Sequence, residues 1–105
     1  MAQFDVYPNP QIQARDRYPF VVNIQAELLD GLPSRMVIPL SNVGMQASSL
    51  PKRLILEANI LGRQLTLMPQ LAAPVPADRL SKPVANIAAM HFDIVSALDA
   101  VVSGV

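Results

Sequence analysis

The chain has 105 residues, of which 51% are hydrophobic and 15% charged, and its eight basic and eight acidic side chains give a formal net charge of zero. That length suits one domain spanning residues 1–105, and so much apolar surface on so few residues excludes disorder and favours a homodimer. With no basic run longer than Lys52-Arg53 the footprint of direct nucleic-acid binding is missing, and the absence of cysteine excludes disulfides, thiolate nucleophiles and most zinc chemistry. The start, "MAQFDVY", lacks a basic and apolar leader, and no apolar run approaches the roughly 18 residues of a membrane span, so a cytoplasmic protein is expected.

In "QFDVY" the residues alternate, Phe4 and Val6 on one face and Gln3, Asp5 and Tyr7 on the other, as in a half-buried strand that Pro8 and Pro10 stop. The polar stretch Gln11 to Arg17 reads as a mobile loop, and its "RDR" allows either a phosphate contact or a solvated face. "YPFVVNIQAELL" resumes the strand period, with Phe20, Val22 and Ile24 facing one way and Val21, Asn23 and Gln25 the other. "DGLP", Asp30 to Pro33, signals a turn, and "SRMVIPL" supplies the return strand, so Phe20 to Leu40 predicts a long antiparallel hairpin. Pro39 belongs at a sheet edge or a bulge, because it cannot donate to the ladder.

Ser41 to Lys52 reads as a loop or short helical turn, and "RLILEANI" and "QLTLM" around Gly62 as a second hairpin. Four prolines between Pro69 and Pro83 indicate short segments and corners. From Pro83 the period changes: Ile87, Ile94, Val95, Leu98, Val101, Val102 and Val105 fall on one stripe of a helix, with Ser81 as N-cap and Pro83 in the first turn. The expected fold is α+β and mainly β: an antiparallel sheet of about five strands closed by one long C-terminal helix.

Candidate chemistry is sparse. His91 is the sole histidine, so a metal site would need carboxylate partners and a Ser/His/Asp arrangement has no second candidate. The acidic residues Asp5, Asp16, Glu27, Asp30, Glu57, Asp78, Asp93 and Asp99 stand singly, without the pairing that general acid and base work requires. The four glycines are isolated and form no phosphate-cradling loop. No catalytic residue, metal or cofactor is expected, and the chain does not read as an enzyme.

"QFDVY", "YPFVVNIQAELLD" followed by "SRMVIPL", then "LSKPV" and a final helix ending in Gly104-Val105, together resemble the CcdB family of bacterial toxins in the same order along the chain. The resemblance implies a homodimer with an SH3-like antiparallel barrel, a small β-wing and a long C-terminal helix. It also implies a toxin of a type II toxin-antitoxin system, serving plasmid maintenance, that binds the A-subunit of DNA gyrase, traps the cleaved gyrase-DNA complex and is neutralised by a CcdA-like antitoxin. The family's gyrase determinants fall on Ser103, Gly104 and Val105, with Asp99 one turn earlier. Gly104 matches directly, and Val105 stands for isoleucine at a cost of about 1 kcal/mol of burial. Ser103 stands where the familiar pattern has tryptophan, whose stacking on a target arginine would supply about 1 to 3 kcal/mol, and Asp99 replaces asparagine. Val101 falls at the family's dimer axis.

On the antitoxin side the resemblance points to Leu28 and Leu29, for which ordinary strand-end packing is the competing reading, and to the nearby loop carrying Arg15 and Arg17. Two other functions share the fold or the ancestry: a decayed, non-toxic homologue that still binds antitoxin, and a MazF/Kid-like endoribonuclease.

Overall fold

The computed structural model describes residues 2–43 and 55–103. Among them run seven strands, β1 (Asp5–Pro8), β2 (Phe20–Asn23), β3 (Ser34–Ser41), β4 (Leu56–Ile60), β5 (Arg63–Leu67), β6 (Ala73–Pro76) and β7 (Ala85–Asn86), and one helix, α1 (His91–Ser103). The strands pair antiparallel in the order β4-β5-β3-β2-β1-β7, and β6 pairs separately with β3. Ala58 and Ile60 from one end of that order and Ile87, next to β7 at the other, enter the same core cluster, so the sheet curls into a nearly closed barrel. The mainly β fold with its C-terminal helix is as the sequence predicts, with two short strands, β6 and β7, beyond the five expected.

Both faces of the sheet are used, which is why the apolar content is so high. Val6, Val22 and Ile38 stand opposite one another across β1, β2 and β3 and point into the barrel with Leu40, Leu65, Leu67 and Ile94. One residue out of phase, Tyr7, Val21 and Val37 form a second cluster on the outer face, covered by Val75 and Leu80. Burying each of these aliphatic side chains stabilises the fold by about 1.5 to 3 kcal/mol.

The predicted Phe20–Leu40 hairpin is present, pairing Phe20 with Leu40 and Asn23 with Val37. Pro39 sits where β3 changes partners on its other side, from β6 (Ser34 to Val37) to β5 (Leu40 and Ser41); its carbonyl accepts the Met68 N–H at 3.0 Å. The second hairpin turns on Leu61 (φ 54°) and Gly62 (φ 83°), two consecutive left-handed residues of the kind a tight two-residue hairpin demands. β4 pairs β5 at five positions and β5 meets β3 at two; Ala58, Ile60, Leu65 and Leu67 face the core, so this hairpin is part of the barrel wall and its turn, Leu61 to Arg63, is exposed. Ser41 ends β3, and the rest of the Ser41 to Lys52 loop from Gly44 lies outside the described residues.

The start of the helix differs from expectation. Ser81 is no N-cap and Pro83 lies in extended chain: Ala85 and Asn86 pair with Val6 and Asp5, the Val84 N–H donates to the Val6 carbonyl (2.8 Å) and the Ile87 N–H to the Phe4 carbonyl (3.0 Å). A helix from Ser81 would spend those donors internally and leave the outer edge of β1 bare. Asn86 Oδ1 then accepts the Ala88 N–H at 2.9 Å, and a single 3-10 turn, Ala88–Met90, leads into α1 at His91.

Phe4, expected within the first strand, lies just before it at φ 70°. A turn closed by the Asp5 N–H on the Ala2 carbonyl (3.2 Å) creates that conformation, and bonds to Asn23 and Ile87 hold it while the ring enters the core.

Candidate functional site

At 3.6 residues per turn, α1 divides its side chains sharply. Ile94 and Ala97 are buried, and Leu98 and Val101 share their face, Val101 being less covered at 40% exposed. On the opposite face Phe92, Ser96, Asp99 and Ser103 form one outward line, flanked by Val95 and Val102. Phe92 is 87% and Val102 86% exposed. The predicted apolar stripe is therefore two surfaces: Ile94, Leu98 and Val101 look inward, Val95 and Val102 outward.

Ser103 Oγ donates to the Asp99 carbonyl at 2.6 Å, an i to i−4 bond that satisfies the hydroxyl within the helix. No basic residue occupies the last turn, so the negative end of the helix dipole and the Asp99 carboxylate stand together without a compensating cation on α1. Gly104 and Val105, the other two terminal residues of the expected gyrase site, lie outside the described residues.

The β2–β3 connector forms a second surface. It contains a 3-10 turn, Glu27–Leu29, and turns Leu28 almost wholly to solvent (91% exposed), with Leu29 and Leu32 about half exposed. Strand-end packing therefore does not explain Leu28. Two side chains hold the connector from below. Gln25 Nε2 donates to the carbonyls of Leu29 and Ser34, both at 3.1 Å, while Gln25 Oε1 accepts the Met36 N–H at 3.0 Å. Buried Arg35 donates from Nη1 to Leu32 (2.5 Å) and Ser34 (2.9 Å) and from Nη2 to Asp30 (2.6 Å), with the Asp30 carboxylate 3.6 Å from its Nε. Backbone carbonyls and one carboxylate thus surround the guanidinium, which is what a buried cation requires.

The Gln11 to Arg17 loop is the third surface, and side-chain hydrogen bonds tie it to the strand end before it. It carries a 3-10 turn, Ile12–Ala14, and closes on buried Asn9: Asn9 Nδ2 donates to the Tyr18 carbonyl (2.8 Å), Asn9 Oδ1 accepts the Gln11 N–H (2.9 Å) and Arg15 Nε donates to the Asn9 carbonyl (2.6 Å). The Arg17 guanidinium lies 5.7 Å from the centre of the Tyr18 ring. Beside the loop opens a groove of about 250 Å³ whose floor and walls include Val21, Val37, Pro39, Leu71 and Val75.

The structure thus places Arg15 and Arg17 at one end of β2 and Leu28 and Leu29 at the other, separated by a four-residue strand, roughly 13 Å of extended chain. A partner touching both would lie along the sheet. Sequence reasoning passed over Phe92, Leu32, Arg35 and Asn9. The first breaks the polar side of the helical pattern and was detectable; the staples act across turns whose shape no local pattern encodes.

His91 is exposed at the first residue of α1, its ring 5.2 Å from Phe4 and 5.5 Å from Phe92. Among the described residues no group of three His, Cys, Asp or Glu side chains is placed to hold a metal ion, and no helix is long and apolar enough to cross a membrane. Burial, and then the neighbouring Asp5 carboxylate, push the Tyr7 phenol above its ordinary value of 10.0, which keeps it neutral.

A comparison with curated proteins finds no match. The family model described as CcdB protein matches residues 3–104, nearly the whole chain, with all three surfaces inside the matched span. The chain belongs to the CcdB family, and with it to the toxins of toxin-antitoxin systems.

Proposed function

We infer that this chain works in the cytoplasm as a single-domain homodimer that binds the A-subunit of DNA gyrase, traps the enzyme with its DNA cleaved, and is neutralised by a CcdA-like antitoxin. It uses no cofactor, makes no direct contact with nucleic acid and performs no bond chemistry of its own. The observation that carries this reading is the end of α1: Asp99 and Ser103 stand on an outward face, and the last turn, Val101 to Ser103, is exposed. A two-fold dimer would present two such ends to a two-fold target, with Val101 on the inner face at the seam. Gly104, with no Cβ, would allow close backbone approach. Leu28, Leu29, Arg15 and Arg17 form the antitoxin surface, which a segment that folds on binding would wrap.

The test is purified gyrase acting on circular DNA. The chain is expected to stall supercoiling and accumulate linear DNA, an effect that Gly104→Arg or removal of residues 103–105 abolishes while leaving the antitoxin complex intact. Equal potency of the shortened chain overturns the site assignment. Degraded messenger RNA with unaffected gyrase would identify an endoribonuclease instead.

A second reading, a homologue that binds antitoxin without killing, is favoured by Ser103, whose hydroxyl is already satisfied by the Asp99 carbonyl. Induction without growth arrest, and without any effect on gyrase, would establish it.

A further inference from the structure

Three arginines gather at the end of the barrel where β1 finishes and β2 begins, and each is held by a neutral group. Arg15 Nε donates to the Asn9 carbonyl (2.6 Å), the Arg17 guanidinium lies 5.7 Å from the centre of the Tyr18 ring, and that of Arg63, at the start of β5, lies 6.0 Å from the centre of the Phe20 ring. Tyr18 and Phe20 are separated by at most about 7 Å of chain, so the two stacked cations share one stretch of surface. Asn42, just after β3, braces that stretch: its N–H donates to the Arg17 carbonyl (3.0 Å) and its Nδ2 to the Asp16 carbonyl (2.5 Å). Among the described residues none of these three arginines is ion-paired, whereas buried Arg35 has the Asp30 carboxylate beside it. A guanidinium resting on an aromatic ring has its plane fixed while its N–H fork stays free, so it loses little freedom on taking a carboxylate.

We propose that Arg15, Arg17 and Arg63 form one patch that reads the carboxylates of an acidic peptide segment, whose apolar side chains lie against Ile12, Val43 and the groove that Tyr18 also lines. Two features favour a peptide over a phosphate backbone. Exposed Ile12, Val43 and Leu61 interrupt the patch, and a formal net charge of zero gives the chain no wider positive field to hold a polyanion. Arg63 comes from a different hairpin than the loop, so the fold assembles the patch and no local run of basic residues announces it. This inference rests on the reading of the loop as antitoxin surface, and it gives the bound segment of the antitoxin a composition: aspartate or glutamate spaced between aliphatic residues.

The experiment titrates the full-length chain with the product of the neighbouring gene by calorimetry, at about 50 mM and about 500 mM salt, for wild type, Arg63→Gln, Arg63→Lys and Arg17→Gln. At low salt Arg63→Gln and Arg17→Gln are each expected to weaken binding about tenfold and Arg63→Lys about threefold, because lysine keeps the charge but not the stacked fork; at high salt the differences shrink to about twofold. Thermal unfolding of Arg63→Gln should match wild type, since the residue is exposed. Undiminished low-salt affinity of Arg63→Gln overturns the proposal and leaves the antitoxin reading intact. So does a loss of equal size at both salt concentrations, which would make Arg63 a packing residue. Binding of the wild type to a short DNA duplex, weakened by Arg63→Gln, also overturns it and identifies a phosphate site. Absence of any complex with the wild type overturns the antitoxin reading itself, and the proposal with it.

Discussion

The β2–β3 connector and the outer face of α1 both hold large apolar side chains out to solvent, but they are made rigid by opposite means. The helix is a regular backbone ladder fixed by packing, with Ile94 and Ala97 seated in the barrel core. Apart from its 3-10 turn the connector has no regular structure, and Leu28 and Leu29 are held in place by polar side chains, Arg35 and Gln25, that donate to its backbone carbonyls. A display surface can be built by burying apolar area beneath it or by satisfying its backbone, and the two should fail differently.

Ile94→Ala is expected to do the most damage. The residue is fully buried, and its truncation should cost about 3 to 4 kcal/mol, measured by urea unfolding, with α1 losing amide-exchange protection before the sheet does. Arg35→Met should cost about 2 to 3 kcal/mol, because the guanidinium's hydrogen bonds to the carbonyls of Asp30, Leu32 and Ser34 are lost. Its signature is opposite in place: exchange quickens over residues 27–33 while α1 is unchanged. If Arg35→Met loosens the helix equally, the two surfaces are one cooperative unit.

High pH probes the outer face of the sheet. The Tyr7 phenol has a folded value raised above its unfolded one, so the folded chain keeps that proton longer. Stability from this group is fully present below about pH 10 and is lost as pH rises through the raised folded value, and Tyr7→Phe should flatten that decline. Smallest in stability is Leu28→Asp, within about 0.5 kcal/mol of wild type because the side chain is 91% exposed. Its effect should appear in antitoxin binding alone, read by calorimetry with the product of the neighbouring gene.

Much of the barrel was legible in the sequence because its two hairpins are local. Phe20 to Leu40 and Leu56 to Leu67 each carry the two-residue period and a turn at the right place. The entry to α1 was not, since Ala85 and Asn86 pair with Asp5 and Val6, and nothing near Pro83 announces a strand eighty residues away. Of the candidate site, Leu28, Asp99 and Ser103 are exposed. The hydrogen bonds of the loop from Gln11 to Arg17 were not legible, because they converge on one buried asparagine, itself flanked by prolines, whose role no local pattern announces. Helical spacing alone merged the inner and outer faces of α1, and only the packing of Ile94 and Ala97 separates them.

Asn86 carries a consequence for how the molecule is made. Its side-chain amide donates both to the Gln3 carbonyl (3.2 Å) and to the Asp5 carboxylate (2.9 Å), and its oxygen receives Ala88, so the first strand and the approach to the helix are tied at one residue. A ribosome must release that asparagine before the barrel can shut. Until then Phe4 and Val6, made long before it, lack the cover of Ile87 and Ile94, and a nascent product cut short of this knot is a substrate for proteases rather than a weaker toxin.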